Sequence, residues 1–365
     1  MSKAAELAAL ISSQSALSDR NMIINGAMQV AQRGTSSTTL TTYATVDRFL
    51  NALSGTTDQL AGTQAQSTTA PDGFSNSYKI DCTTAETTID ADEFWRVRHY
   101  IEAQNLQHLK YGTSAAQSVT LSFYVRSNVT GTYACNIYQP DGVRQITKTY
   151  AISAADTWEY KTITFPGDTS GTVNNDNGSG LEISWFLMAG STWTGTDSTS
   201  WGAYANDGLA NGHAVNMASS TSNEWYITGV QLEVGEQATP FEHRSYGDEL
   251  QRCLRYYYAI VDGTTAIMSV GNANYYNNTY INGIVPLPVL MRAKPTIEQT
   301  TGTNYFKIIA GGASDTFNGF DGLGNTTSLH QAELYASSNI SGTQGHGGMI
   351  SSDNGSARLA FTAEL

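Results

Sequence analysis

Hydrophobic and polar positions alternate with a period of two along most of this chain, in short runs separated by polar, glycine-containing turns. The clearest run is Tyr226 to Val234, where Ile227, Val230, Leu232 and Val234 share one face apart from a slip at Gly229. This predicts a half-buried strand with a bulge at the glycine. Pro240, which has no backbone donor, ends the ladder. Ser245 then precedes Asp248 and Glu249 as an N-cap before acidic first-turn residues, and Leu250, Cys253, Leu254 and Tyr257 recur at helical spacing. An amphipathic junction helix is expected over 247–258.

Strand signals precede that helix in close succession: MIINGAMQVAQ, NSYKIDC, EFWRVRHYIEA, VTLSFYVRS, YACNIYQ, EYKTITF, LEISWFLMA and WYITGVQLEV. Turn clusters such as PDGF, NVTG, PDGV and PGDTSG divide them. Many strands with no helix between them argue for a two-sheet jelly roll. The alternation in SFYVRS and KTITF puts one face in a core and the other in water. No period of about 20 to 50 residues stands out, against a β-helix or propeller. After the helix, TAIMSVG, YINGIVPLPV, TIEQTT, FKIIAGG, AELYASS and ARLAFTAEL predict a second, smaller sandwich, and the prolines of PLPVLMRAKPTI suit an edge. The expected fold is all-β, with two β-sandwich (jelly-roll-like) domains, a short N-terminal helix and a short junction helix. The domains are 1–20, 21–246, 247–258 and 259–365.

The N-terminal segment SKAAELAALISSQSAL places Leu7, Leu10 and Leu17 at heptad-like spacing, with Ile11 beside them. Helices shorter than about 12 to 15 residues are marginal in water, so this one needs partners: its own copies or a protein that grips it. Its stripe, with Leu254 and Tyr257 of the junction helix, is the expected attachment or oligomerisation surface.

Composition narrows the classes. The 365 residues are 40% hydrophobic and 14% charged, with 20 tyrosines, a balance suited to short strands and polar turns. A net charge of −13 argues against nucleic-acid partners, which need clustered Lys and Arg. No apolar run approaches the roughly 20 residues that span a bilayer, and no secretory leader pattern opens the chain, so a protein made in a cytoplasm and not inserted in a membrane is expected. The three cysteines, Cys82, Cys135 and Cys253, suit neither a disulfide framework nor a C-x-x-C zinc site and are expected to be buried.

The strand and helix of 224–258, with NMIINGAMQVAQRGT, TVDRF and the terminal LAFTAEL, resemble the shared core of tail-fibre and related structural proteins of tailed bacteriophages, especially marine ones. SVTLSFYVRSNVTGTYACNIYQ and TWEYKTITFPGDTSG look like the carbohydrate-binding-module-like jelly roll of such proteins. The resemblance implies a virion protein, in the tail rather than the head, assembled in the host cytoplasm as a homotrimer. Its implied partners are other virion proteins, through the N-terminal helix, and a host surface polysaccharide.

No catalytic motif appears. Hydrolysis would need paired carboxylates or a nucleophile with a base, and Asp92 with Glu93 and Asp156 with Glu159 sit at strand edges or turns where solvated charge is the ordinary explanation. A non-enzymatic protein is expected, with a glycan-degrading tail enzyme as one rival and a head fibre, decoration or adaptor protein with only structural contacts as the other. No cofactor is expected. The loop from Gly167 to Gly180 holds Asp168 and Asp176 among side-chain amides, either a polar turn or a structural calcium loop of the kind the resembled modules hold.

Two aromatic groups suggest recognition. The long insertion between Met188 and Glu224 carries Trp193, Trp201 and Tyr204 among Gly, Ser, Thr and Asn. Such rings are covered either by a saccharide or by the scaffold, and scaffold packing is the expectation for Trp201. In the last domain, Tyr275, Tyr276 and Tyr280 of NANYYNNTY, with Asn304, Tyr305, His330, Tyr335 and His346, are expected in exposed loops of the Tyr-Asn-Ser-Gly type.

Overall fold

The computed structural model describes residues 19–55, 60–195 and 197–365. The helix expected over 1–20, with Leu7, Leu10, Ile11 and Leu17, falls almost wholly outside the described residues. The chain forms two compact units that divide between Glu249 and Leu250, Leu365 being grouped with the first. Nearly all regular structure is antiparallel β, arranged as β-sandwich layers.

In the first unit the strands are β1 (Ser36–Ser37), β2 (Phe49–Ser54), β3 (Ala61–Ser67), β4 (Ser77–Thr84), β5 (Phe94–Glu102), β6 (Val119–Ser127), β7 (Gly131–Gln139), β8 (Arg144–Ile152), β9 (Glu159–Phe165), β10 (Ser179–Ala189), β11 (Gly202–Ala203) and β12 (Glu224–Val234). They make two six-stranded sheets, ordered β1-β3-β4-β12-β6-β9 and β11-β8-β7-β10-β5-β2. Alternation decides what fills the space between them: Leu121, Phe123 and Val125 of β6 enter the core, while Tyr124 and Arg126 point out. Trp95, Trp185 and Trp225 are fully buried there, as are Cys82 and Cys135, while Cys253 is buried at the helix. The bulge read at Gly229 is present as a register shift between Thr228 and Gln231.

MIINGAMQVAQ, expected as a strand, is instead an irregular buried segment. Asn25 (φ 62°) and Met28 (φ 56°) adopt left-handed conformations that no ladder accepts. Side chains take over the bonding. Asn21 Nδ2 donates to the Val230 carbonyl (3.0 Å), and Asn21 Oδ1 accepts from Leu232 N (3.1 Å). Arg244 donates to the Ile23 and Asn21 carbonyls, and Glu249 accepts from Asn25 N (2.5 Å). The two sequence stretches flanking the sandwich are thus bonded to each other.

The junction helix α1 spans Tyr246–Leu254, capped by Ser245, whose hydroxyl accepts from Asp248 N (3.2 Å). It stops earlier than expected because the Tyr-rich run after it enters a ladder. Tyr257, placed on the helix by spacing, is the first residue of β13 (Tyr257–Asp262), fully buried, with its hydroxyl donating to Glu298 Oε1 (2.9 Å). A buried Tyr257 cannot serve as an oligomerisation face; Leu254 ends the helix half-buried.

The second unit continues with β14 (Ser269–Asn277), β15 (Tyr280–Pro286), β16 (Thr296–Thr300), β17 (Phe306–Ala310), β18 (Ala313–Phe317), β19 (Gly322–Leu323), β20 (Gln331–Ala336), β21 (Gly347–Ser352) and β22 (Arg358–Thr362). These form a three-stranded sheet, β13-β22-β16, and a seven-stranded sheet, β18-β17-β21-β14-β15-β20-β19. Phe306, Phe317, Phe320, Met291, Leu359 and Phe361 belong to its core. Among the described residues no helix is long and apolar enough to cross a membrane.

Candidate functional site

NANYYNNTY, expected as an exposed loop, is a strand and a tight hairpin. Asn272, Asn274 and Tyr276 of β14 face outward, whereas Ala273 and Tyr275 face the core. Tyr275 is therefore corrected from an exposed to a buried residue. It is 4% exposed, its hydroxyl donates to Asp315 Oδ2 (3.0 Å), and burial together with that carboxylate pushes its pKa up to about 12. Its neighbour Tyr276 is 65% exposed. Adjacent residues on a pleated strand take opposite faces, so one tyrosine is structure and the next is surface.

The outward face of the seven-stranded sheet then builds a row of rings. Asn277 Oδ1 accepts from Thr279 N (2.9 Å), closing the hairpin that returns Tyr280 beside Tyr276. Their rings meet edge to face at 5.9 Å. The pairing of β15 with β20 sets Asn282 opposite Tyr335 and Ile284 opposite Glu333. Tyr280 stacks on Tyr335 with centroids 5.7 Å apart and planes 16° apart.

Polar groups frame this row. A cleft of about 300 Å³ is lined by Tyr276, Asn277, Tyr280, Asn282 and Glu333, and Asn282 also lines an adjoining cleft of about 240 Å³ with Asn272 and Asn274. Thr326 donates both its backbone N–H (3.0 Å) and its hydroxyl (2.8 Å) to Glu333 Oε2. Those bonds hold the Glu333 carboxyl below its ordinary pKa. Burial first, then the Glu333 carboxylate, pushes the Tyr280 hydroxyl up, keeping it a neutral donor. Asn282 Nδ2 lies 3.5 Å from Glu333 Oε1, while its buried Oδ1 meets no protein donor among the described residues. The arrangement presents flat apolar rings beside a fixed carboxylate and amides. It fits a ligand with an apolar ring face and a rim of hydroxyls.

Tyr335 is thus a strand residue rather than a loop residue, and Asn282 and Glu333 were not singled out from sequence. Alternation in AELYA carried the signal: Ala332, Leu334 and Ala336 are buried, so Glu333 and Tyr335 point the other way. Asn304 (φ 58°), His330 and His346 lie outside the strands and Tyr305 directly precedes β17; none of them lines either cleft.

The insertion of the first unit is used differently. Trp193 meets Phe94 edge to face at 4.9 Å and joins Phe186, Leu209 and Ala210 in a small cluster outside the main core. The insertion thereby covers the outer face of the second sheet. Beneath it, Arg96 lies over Phe94 (4.7 Å) and Phe186 (5.4 Å) and pairs with Glu182 (3.3 Å). Trp201 packs edge to face on Tyr111 (5.8 Å) and donates Nε1–H to the Pro166 carbonyl (2.6 Å). Tyr204 is partly exposed, against Tyr138 at 4.8 Å, with its hydroxyl on Asn206 Oδ1 (2.8 Å). All three rings have protein partners.

The acids do not converge. Asp168 is buried and takes the Arg144 Nε–H at both oxygens (3.0 and 2.7 Å), and Asp176 Oδ1 accepts from Gly178 N (2.8 Å). Among the described residues no group of three or more His, Cys, Asp or Glu side chains is placed to hold a metal ion. Glu93 caps the turn at Asp90 N (2.8 Å), Asp156 pairs with Arg126 (2.9 Å) and Glu159 with Lys161.

No family model matches the chain, and no curated protein matches it. Solved structures similar to it include the enzymatically active domain of tailspike protein 4 from bacteriophage CBA120 (12% identity, TM-score 0.32, covering 59% of this chain and 21% of that one). Others are a family 4 carbohydrate-binding module (11%, TM-score 0.30, 58% and 99%) and a putative sugar-binding protein from Bacteroides thetaiotaomicron (12%, TM-score 0.32, 59% and 100%).

Proposed function

We propose that this chain is a non-catalytic virion protein of a tailed bacteriophage, a tail fibre or receptor-binding protein, which holds a host surface polysaccharide against Tyr276, Tyr280 and Tyr335. The observation that carries the reading is the outward ring row with its framing Asn277, Asn282 and Glu333. Stacking on these rings supplies the affinity, and the carboxylate and amides select among hydroxyl arrangements. The phage assignment rests on the sequence resemblance, and with it come a homotrimer and an N-terminal attachment segment. The test is adsorption: purified protein binds host cells, soluble host polysaccharide competes, and Tyr276→Ala with Tyr280→Ala abolishes it.

A purely structural virion role is the second reading. It is favoured by Trp193, Trp201 and Tyr204, which all pack on their own scaffold. Under it the polysaccharide neither binds nor competes.

A further inference from the structure

The first unit carries a larger cleft, about 510 Å³, on the outward face of its first sheet, lined by Asp72, Phe74, Tyr124, Tyr160, Phe241 and His243 among others. Its origin is the bulge of β12. Gly229 has φ +61°, and a Cβ built there would lie 2.7 Å from Phe74 Cζ and 3.1 Å from Tyr124 Cδ2. A glycine at this bulge lets Phe74, delivered by the turn that Phe74 N closes on the Pro71 carbonyl (3.1 Å), seat against the sheet.

Aromatic rings gather on that seat. Phe74 lies 5.0 Å from Phe241, 5.3 Å from His243 and 5.5 Å from Tyr124. Tyr124 continues the series to Tyr160 at 4.9 Å. The jelly-roll core lies on the other side of these strands, filled by Leu121, Phe123, Val125 and Ile163, so the cluster is not core packing. Tyr160 keeps 46% of its surface in solvent. Asp72 and His243 stand exposed at the rim.

We infer that this cleft is a second saccharide site, taking a neutral pyranose whose apolar face stacks on Tyr160 and Tyr124 while its hydroxyls meet Asp72 and His243. An open aromatic floor with polar groups at its edge matches a ring that is apolar on its faces and polar around its perimeter. The rim carboxylate and the net charge of −13 oppose acidic sugars. This site stands on residues of the first unit alone and does not depend on the Tyr276 row.

The test is saturation-transfer NMR on the full-length protein. The probes are neutral tetrasaccharides built from glucose, mannose or galactose, with a uronic-acid tetrasaccharide as control. The proteins are wild type, Y276A/Y280A, Y160A and the triple variant. The expected result is that Y276A/Y280A retains transfer to a neutral tetrasaccharide and that adding Y160A weakens binding at least tenfold with an unchanged melting temperature. Absence of neutral-sugar transfer in Y276A/Y280A, preference for the uronic-acid probe, or indifference to Y160A would overturn the proposal. Wild-type binding that survives Y276A/Y280A intact and disappears in Y160A would instead remove the Tyr276 site and leave this one standing.

Discussion

Tyr280 and Tyr335 lie 55 positions apart in the chain and stack with ring planes 16° apart on one face of one sheet. Tyr280 is the end of a hairpin and Tyr335 sits on the neighbouring strand, so the stack is fixed by the pairing of Ile281–Pro286 with Gln331–Ala336. Removing Tyr335 should therefore loosen Tyr280 without unfolding the unit. Tyr335→Ala is expected to change stability by less than about 1 kcal/mol, because an aromatic pair of this kind is worth about 0.5–1.5 kcal/mol and this one is solvent-facing. Urea denaturation checks it, and polysaccharide affinity should fall at least tenfold in the same variant.

Gly229→Ala tests the bulge that seats Phe74. An alanine in the left-handed region costs about 1–3 kcal/mol, and here its methyl also meets the Phe74 ring. Denaturant unfolding should show that loss, and the fluorescence of the neighbouring tyrosines should change with it.

The Arg144 and Asp168 pair gives a third expectation. Asp168 is 1% exposed, so Arg144→Ala leaves a buried carboxylate without its cation and should cost about 3 kcal/mol. Excess chelator should leave the melting temperature unchanged if Arg144, rather than calcium, neutralises this loop. Thermal unfolding with and without chelator separates the two.

Acid should weaken the first unit through His213. Burial pushes its pKa down to about 4, and its ring nitrogen Nδ1 accepts from Ala134 N (3.2 Å). The folded state thus keeps this imidazole neutral while the unfolded state takes up a proton below about pH 6.5. Stability is complete above pH 6.5 and falls as pH drops towards 4, by up to about 3 kcal/mol. Fully buried His99, also held below its ordinary value, acts in the same direction. His213→Asn, which keeps an acceptor, should flatten the slope between pH 6.5 and 5 in denaturant titrations.

Much of the sandwich was legible because period-two alternation survives wherever one sheet face is buried. β6 and β9 show this. β12, expected as half-buried, keeps the alternation in its apolar residues and its break at Gly229, yet it is buried on both faces along nearly its whole length. Where both faces are covered the pattern fades: β10 is buried along most of its length because the insertion packs Leu209, Ala210 and Trp193 outside it. The irregular segment after Asn21 looked like a strand because its residues are buried, although side chains from Glu242, Arg244 and Glu249 satisfy its backbone. The ring row was legible only as separate tyrosines. Tyr275 and Tyr276 are chemically identical, and a single step of strand parity decides which of them reaches a ligand. Partners such as Glu333 and Tyr335, or Phe74 and Phe241, come together only through register between distant strands and turns.

The most direct test of the central claim is adsorption of the purified protein to host cells, measured alongside the melting temperature for wild type, Tyr275→Ala and Tyr276→Ala. Tyr276 is 65% exposed and Tyr275 is 4% exposed. Tyr276→Ala should abolish adsorption while changing stability by less than about 0.5 kcal/mol, and Tyr275→Ala should cost about 3 kcal/mol or more. Normal adsorption by a fully folded Tyr276→Ala protein would contradict glycan capture on this face.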